Sequence, residues 1–193
     1  MADNKLSGDF YERPVIVVAK ELLGKELIFN SSQGTTSGII VETEAYLGPG
    51  DAASHSARGK TKRNAAMFGS AGRAYVYLIY GVHYCFNITT DKNTVPSAVL
   101  IRALEPRQGI HIMKQRRHKE NLVELCSGPG KLAQAMGFDL SLDGMSLLGR
   151  SLLVKEVNGL SSDIVTTTRI GITRDADLPL RFYIANNRYI STS

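Results

Sequence analysis

Two aromatic, strand-like segments joined by a very short turn place the strongest limit on how this chain can fold. Arg73–Tyr80 and His83–Thr89 are rich in tyrosine and apolar residues, and Gly81-Val82 lies between them. A connection this short joins neighbouring antiparallel strands, whereas parallel strands need a long crossover. The sequence therefore predicts a tight β-hairpin at this point.

The remaining elements are short strands and helices that do not repeat a strand–helix unit. Proline before and glycine after Val15–Leu23 predict a helix, and Thr61 is predicted to cap a short helix through Phe68. Further strands are predicted at Lys25–Asn30, Ser37–Tyr46, Ala98–Arg102, Ser151–Val157, Ile164–Ile172 and Leu180–Ala185. Further helices are predicted at Pro106–His118, in a segment ending at Cys126, and at Lys131–Met136. This pattern predicts one α+β domain over residues 1–193, mainly antiparallel and without the alternation of a doubly wound fold.

Positive charge is concentrated in the part of the chain that contains the hairpin. The protein carries a net charge of +5, and residues 52–90 alone contribute that much because they contain no aspartate or glutamate. The cations of this basic segment are Arg58, Lys60, Lys62, Arg63 and Arg73. Basic residues beside aromatic ones are suited to nucleic-acid phosphates. A second basic cluster, residues 114–119, is interpreted as a solvated face.

Metal, disulfide and membrane chemistry find little support in the sequence. Cys85 and Cys126 form no CxxC pair, and the four histidines lack metal-ligand spacing, so neither a metal nor a cofactor is expected. The apolar run Val15–Ala19 is too short for a membrane helix and argues against a signal peptide. No membrane association is expected.

Two acidic side chains stand on one predicted strand, Ser37–Tyr46. Alternation predicts Ile40, Glu42, Glu44 and Tyr46 on one face, with Val41, Thr43 and Ala45 on the other. On this pattern alone, an exposed polar strand face is the favoured interpretation. The functional alternative is a carboxylate at the edge of a pocket, where it can take a proton from water.

The hairpin and a glycine-rich turn offer two further candidates. Tyr75 and Tyr77 share a strand face, while Tyr80 projects the other way beside the tip. Aromatic strand residues are usually core, but a rigid apolar tip flanked by cations can enter a DNA duplex and kink it. The turn Ser127–Lys131 precedes a helix and can hold a phosphate, although it lacks Walker A spacing and an ordinary helix start is an equal alternative.

Taken together, these residues resemble the alkyladenine (3-methyladenine) DNA glycosylase family. The matching blocks follow one another in order from about the fortieth residue to near the end of the chain. They are Val41–Pro49, Asp51–Ser56, Lys62–Asn64 with Met67-Phe68, Tyr75–Gly81 with Cys85–Asn87, Leu100–Pro106, Leu125–Pro129 with Lys131-Leu132, and Leu180–Tyr183. So many blocks in register are far more specific than any single motif.

The resemblance implies a fold, an activity and a set of site residues. The expected fold is a single compact domain with a curved antiparallel sheet, flanking helices and a protruding hairpin. The expected enzyme is a monofunctional, metal-independent glycosylase of base excision repair, in which Glu44 is the general base. The base pocket is expected to contain Tyr46, His55, Tyr77 and Asn87, with Tyr80 as the intercalating residue. Expected DNA contacts are Lys62, Arg63, Val82, His83, Arg102 and Lys131; Val82 and His83 replace the methionine and tyrosine of mammalian members.

The implied substrate is double-stranded DNA that contains an alkylated or deaminated purine, of the 3-methyladenine, 7-methylguanine, hypoxanthine and ethenoadenine class. The enzyme is expected to act as a monomer, in the cytoplasm with the nucleoid if it is bacterial and in the nucleus if it is eukaryotic. Two alternatives remain open from the sequence. One is a Mg²⁺-dependent nuclease that uses Glu42, Glu44 and Asp51, and the other is a non-catalytic nucleic-acid-binding module.

Overall fold

The computed structural model describes residues 4–92, 95–157 and 163–191, and its frame is an antiparallel sheet of eight strands. The strands are β1 (Glu26–Ser31), β2 (Gly34–Tyr46), β3 (Ala74–Ile79), β4 (His83–Thr90), β5 (Ser97–Gln108), β6 (Leu152–Lys155), β7 (Ile164–Thr167) and β8 (Arg181–Ile184). The α-helices are α1 (Gly8–Tyr11), α2 (Val15–Glu21), α3 (Ile110–Arg117), α4 (Leu122–Cys126) and α5 (Pro129–Met136). Three single turns of 3₁₀-helix lie at His55–Arg58, Ala65–Phe68 and Leu140–Leu142.

The long strand β2 organises the sheet, whose order is β3-β4-β5-β2-β1-β6. One edge of β2 pairs with β5, while the other edge pairs first with β1 and then with β8, which in turn pairs with β7. The sheet therefore branches at the carboxyl end of β2 and curls. This arrangement confirms the predicted α+β fold with a curved antiparallel sheet and flanking helices.

The main core lies between the curled sheet and the helices α2 and α5. In α2 the buried residues Val15, Val18 and Ala19, followed by Leu22, recur at the spacing of one helix face. Phe86 of β4 stacks on Phe138 with ring centroids 4.5 Å apart. Burial of each such side chain contributes about 1.5–3 kcal/mol to folding. No helix in the described part of the chain is long and apolar enough to cross a membrane.

The predicted helix Pro106–His118 is wrong at its start, because β5 continues through Gln108 and α3 begins only at Ile110. Pro106 is tolerated in the strand beside an irregularity, where the pairing with β2 shifts between Ser37 and Gly38. Gly109 then ends the strand in the left-handed region at φ 70°, packed against the Thr35 backbone, where a Cβ atom would collide.

Three other predicted boundaries also differ from the structure. Thr61 caps no α-helix; its backbone N–H and hydroxyl bond the buried Asn64 side chain ahead of a single 3₁₀ turn. The helix expected from Lys131 begins at Pro129, whose missing N–H costs nothing at a first helical position. The strand expected over Ile164–Ile172 ends at Thr167, and the loop that follows approaches the end of β2.

Candidate active site

Two β-bulges determine which side chains meet near the end of β2. Ile40 pairs with Leu104 and Glu42 with Ala103, so Val41 is an extra residue in β2. Ile40 lies in the main core, whereas Val41 lies in a second cluster with Ile39 and Tyr189. The predicted alternation from residue 40 to residue 46 is therefore wrong at its first two positions, because the bulge reverses the faces of Ile40 and Val41.

The second bulge lies directly opposite, in β5. Glu42 pairs with Ala103 and Thr43 with Ile101, which leaves Arg102 as the extra residue. The Arg102 side chain contacts both Glu42 and Glu44. The bulges thus place one arginine between two carboxylates, and neither carboxylate has any exposed surface. The exposed polar strand face that the sequence favoured is absent from this end of β2.

Glu44 is held at both carboxylate oxygens. Oε1 accepts a hydrogen bond of 2.8 Å from the backbone N–H of Ile170 and lies 3.2 Å from Nη1 of Arg102. Oε2 accepts a hydrogen bond of 2.9 Å from the Tyr46 hydroxyl. Burial, with a further contribution from the Glu44 charge, raises the pKa of Tyr46, so its hydroxyl stays protonated and donates. The second lone pair of Oε2 has no protein donor among the described contacts.

Glu42 has a different environment. Its oxygens accept bonds from Nε of Arg102 and Nε of Arg181, and from both the N–H and the hydroxyl of Ser191. Four donors, two of them guanidinium groups, bind this carboxylate, three at Oε1 and one at Oε2. Glu42 is thereby suited to fixing the position of Arg102.

An apolar cavity of about 380 Å³ opens beside this pair of carboxylates. The predicted site residues that line it are Tyr46, His55, Tyr77, Tyr80, His83, Asn87 and Arg102. Tyr75, Met67, Leu100 and Ile170 contribute further apolar wall, and Pro129 and Gly130 contribute the start of α5. Glu44 lies behind this wall rather than in it, since the residues that contact its carboxylate are themselves lining residues.

Three aromatic rings form one side of the cavity. The His55 and Tyr77 rings meet edge to face with centroids 4.6 Å apart, and Tyr75 and Tyr77 lie 5.3 Å apart. Nδ1 of His55 is 2.8 Å from the Tyr75 hydroxyl. Burial, and secondarily the Arg63 charge, lowers the pKa of His55 below its ordinary value of 6.5. Asn87 is buried between β3 and β5, and its amide donates to the Tyr75 carbonyl. The wall is aromatic and weakly charged, which suits contact with a planar ring.

A buried ion pair that the sequence did not predict ties two loops to Tyr46. Both terminal nitrogens of Arg169 bond the Asp51 carboxylate, at 2.6 and 2.9 Å, and the guanidinium lies 4.8 Å from the centre of the Tyr46 ring. Arg169 directly precedes Ile170, whose N–H binds Glu44. The one available signal was Gly171, because an isolated glycine in a strand-like run often marks a break.

The hairpin tip carries an exposed aromatic residue. Tyr80 and Gly81 both have positive φ, 52° and 71°, as the central residues of a type I′ turn require. Tyr80 is 83% exposed and Val82 is 70% exposed. A tyrosine at positive φ costs of order 1–3 kcal/mol, so this conformation suggests a function rather than a packing need.

The basic segment presents its charges to solvent. Arg58, Lys60, Lys62, Arg63 and Arg73 are all exposed, and none of them forms an ion pair with a described residue. Arg63 also lies 5.1 Å from the Tyr77 ring, and Lys131 is exposed on α5. By contrast, the cluster at residues 114–119 is largely occupied: Lys114 pairs with Glu120, Lys119 pairs with Glu124, and Arg116 and Arg117 bond neighbouring carbonyls.

The carboxylates proposed for a nuclease do not form a cation site. Asp51 is bound by Arg169, Glu42 by Arg102 and Arg181, and Glu44 by Arg102. Within the described ranges, no three acidic, histidine or cysteine side chains are grouped so that they could hold a metal ion. This geometry does not fit the nuclease alternative.

Comparison with known proteins gives a consistent result over nearly the whole chain. A sequence profile of methylpurine-DNA glycosylases matches residues 9–188. A protein of Methanoculleus marisnigri is 50% identical over 190 residues, covering 96% of this chain and 98% of its own length. A protein of Carboxydothermus hydrogenoformans is 50% identical over 188 residues, covering 96% and 98%. A protein of Francisella tularensis is 47% identical over 180 residues, covering 91% and 93%. All three are named, provisionally, as 3-methyladenine DNA glycosylases.

Proposed function

Because this chain belongs to the methylpurine-DNA glycosylase family, and is therefore a DNA glycosylase of base excision repair, we propose that it hydrolyses the N-glycosidic bond of a damaged purine flipped into the aromatic cavity. One observation carries this proposal. The Glu44 carboxylate is fixed directly behind the wall of a cavity whose other sides are flat aromatic rings.

The aromatic rings support a preference for electron-poor purines. An N3- or N7-alkylated purine is cationic, and a cation is attracted to the face of an aromatic ring by about 0.5–2 kcal/mol. Tyr46, Tyr77 and His55 offer such surfaces, and a His55 that stays neutral at neutral pH does not repel a cationic base. The proposed substrates are therefore 3-methyladenine and 7-methylguanine, with hypoxanthine and ethenoadenine as flat neutral members of the class.

Asn87 supports discrimination against normal guanine. Its side chain lines the cavity and is fixed by a hydrogen bond of 3.0 Å to the Tyr75 carbonyl. A rigid side chain at the cavity wall crowds the exocyclic amino group of guanine, which hypoxanthine lacks. The attraction of the aromatic rings for a cation offsets this cost for 7-methylguanine but not for normal guanine. We assign Asn87 this selective role.

Glu44 supplies the chemistry in this proposal. The bond between the purine nitrogen and C1′ breaks, and its electron pair leaves with the base, so a cationic alkylpurine departs as a neutral molecule. A water oxygen then bonds C1′ while Glu44 accepts its proton. The carboxylate also stabilises the oxocarbenium-like transition state electrostatically. The Oε2 lone pair without a described donor is the proposed position for that water, which reaches the enclosed carboxylate when the wall residues move apart.

The cavity supports hydrolysis by water rather than attack by an amine. A glycosylase that forms a covalent intermediate needs a lysine or an amino terminus within reach of C1′. The described residues that line the cavity include one cation, Arg102, and no lysine. Arg102 is paired with both carboxylates and cannot act as a nucleophile. We therefore propose a monofunctional enzyme that leaves an abasic site.

The hairpin tip and the basic segment supply the DNA contacts. A purine cannot be attacked inside the base stack, and extruding it costs a few kcal/mol. The Tyr80 ring is proposed to fill the vacated position, with Val82 and His83 in the minor groove beside it. The phosphates around the cavity are proposed to be bound by Lys62, Arg63 and Lys131. The enzyme is proposed to act on duplex DNA as a monomer.

Release of free base from defined lesion duplexes tests the proposal. The enzyme is incubated with duplexes that contain each candidate purine, in parallel with EDTA and with Mg²⁺, and the free base, the abasic product and any strand cleavage are quantified. We expect base release without strand cleavage. Strand cleavage that EDTA abolishes would support a nuclease instead, and binding without either product would support a non-catalytic module.

A further inference from the structure

We propose that a second groove, between Arg58 and Arg174, binds the phosphodiester backbone of the lesion-bearing strand next to the flipped nucleotide. This inference rests on the proposed function, since it requires that the base enters the aromatic cavity. It assigns a role to the loop after β7, which no sequence pattern connected with DNA.

The groove has a volume of about 380 Å³ and a distinctive composition. Its floor consists mostly of small residues, and its two cations are Arg58 and Arg174. The lining residues besides these arginines are Ala52, Ala53, Ser54, His55, Ala57, Gly171, Ile172 and Thr173. Small side chains let a ribose–phosphate chain approach closely, and one guanidinium group can bind two oxygens of a phosphate at once.

Both arginines are free to bind an external anion. Arg58 and Arg174 are exposed, and in the described part of the chain no carboxylate lies within ion-pair distance of either. The nearest acidic neighbour in the chain, Asp175, is oriented by a hydrogen bond from the Ala52 N–H. The groove therefore has two arginines without an ion pair and one carboxylate in its wall, which leaves it net positive.

The position of the groove selects the strand. It shares Ala53, His55, Gly171 and Ile172 with the aromatic cavity, so the two are continuous across one rim. A nucleotide whose base occupies the cavity stays joined to a phosphate on each side, and a chain that leaves the cavity across this rim enters the groove. The backbone that meets Arg58 and Arg174 is consequently that of the damaged strand, within one or two nucleotides of the lesion.

The walls of the groove are fixed before DNA binds. The Asp51–Arg169 pair joins the segment before Ala52 to the segment before Ile170, and the Ala52–Asp175 hydrogen bond joins the two walls further along. A preformed site loses less entropy when it binds its ligand. The Asp51–Arg169 pair also positions the Ile170 N–H that binds Glu44. The same ion pair therefore fixes both the groove for the DNA backbone and the Glu44 carboxylate.

Duplexes with single methylphosphonate linkages test the proposal, because each linkage removes one phosphate charge. Affinity is measured in the Glu44→Gln background, so that the lesion stays intact, and base release by the wild-type enzyme is measured in parallel. Arg174→Ala and Arg58→Ala are compared with Arg107→Ala, which removes the same charge from an exposed arginine on β5 that lines neither cavity.

We expect Arg174→Ala to lower the magnitude of the slope of log K against log salt concentration by roughly 0.9, while Arg107→Ala leaves this slope unchanged. At one or two positions in the lesion strand, a methylphosphonate linkage should weaken DNA binding by the Glu44→Gln protein. The same linkage should not further weaken DNA binding by the protein that also carries Arg174→Ala. The groove assignment would be overturned if the effects of Arg174→Ala and of the linkage on affinity were additive at every position. It would also be overturned if they were non-additive only in the complementary strand. The proposed function would survive either result as long as base release persists. Absence of base release from every lesion duplex would overturn the proposed function and this inference with it.

Discussion

The two carboxylates of β2 stand two residues apart, yet their surroundings assign them different tasks. Glu44 lies directly behind the wall of a cavity and contacts one guanidinium group, whereas Glu42 accepts four hydrogen bonds, two of them from guanidinium groups. Glu44→Gln is expected to retain lesion binding and to lower single-turnover base release by about 10²–10⁴-fold, as general-base loss usually does. Glutamine has nearly the same shape: its carbonyl oxygen can accept the Ile170 N–H bond, and its NH2 group can donate to the Tyr46 hydroxyl oxygen, so the fold should persist.

Glu42→Gln is the matched control for that measurement. It removes a charge that compensates two buried guanidinium groups, and breaking a buried ion pair typically costs about 3–5 kcal/mol. The main effect should therefore be on the urea midpoint of unfolding. Near-normal base release by Glu44→Gln, together with a stable but inactive Glu42→Gln, would reverse the assignment of the two residues.

His55 makes stability depend on pH in a defined direction. Because burial lowers its pKa in the folded state, the unfolded chain binds the proton more readily. Its contribution to stability is fully present above the ordinary value of 6.5 and is lost as the pH falls through the folded pKa. His55→Gln should show a smaller loss of stability than the wild type between neutral pH and pH values below 6.5, measured by denaturant unfolding. Parallel losses in both proteins would contradict this account.

At the scale of the element, the hairpin of β3 and β4 is the structure on which flipping depends. Tyr80→Ala is expected to lower the population of the flipped state by a stacking energy of roughly 1–3 kcal/mol. The defect should be largest when the lesion lies in a stable pair and smallest when it lies opposite an abasic gap. Single-turnover base release on these two substrates provides the measurement, and an equal defect on both would place Tyr80 in the pocket or the core instead.

A second substitution separates this role from a structural one. Tyr80 has φ 52°, a conformation that glycine adopts without strain. Tyr80→Gly should therefore leave the hairpin as stable as in the wild type, or more stable, while flipping suffers as much as in Tyr80→Ala. On the same preparation, the free energy of unfolding would then stay the same or rise while the rate of base release falls.

The hairpin also illustrates how far the sequence could predict the site. Its strands follow from local composition, but the turn is centred on Tyr80 and Gly81 rather than on the predicted Gly81-Val82. Glu44 and Tyr46 follow from alternation beyond the bulge. The bulges at Val41 and Arg102 do not, because they depend on pairing between strands about sixty residues apart. The Asp51–Arg169 pair joins residues 118 positions apart, so local sequence could not predict it. The strand-like run from Ile164 ends at Thr167, and Gly171 was the one local signal that it stops early.

At the scale of the whole molecule, the distribution of charge matters more than its total. The net charge is +5, but both lysines of residues 114–119 pair with glutamates, whereas the cations of the basic segment are exposed and form no ion pair with a described residue. Only cations that reach phosphates release counterions from DNA. The basic segment should therefore dominate the salt dependence of binding to undamaged duplex.

Two charge-matched double variants test this expectation. Lys60→Gln with Lys62→Gln should lower the magnitude of the slope of log K against log salt by about 0.9 for each phosphate that the variant no longer neutralises. Lys114→Gln with Lys119→Gln changes the net charge by the same amount and should leave the slope nearly unchanged, because Glu120 and Glu124 already engage those lysines. Equal reductions in slope would mean that total charge, rather than one face, governs binding. A slope near zero for the wild-type protein would refute the assignment of the basic segment as the DNA face.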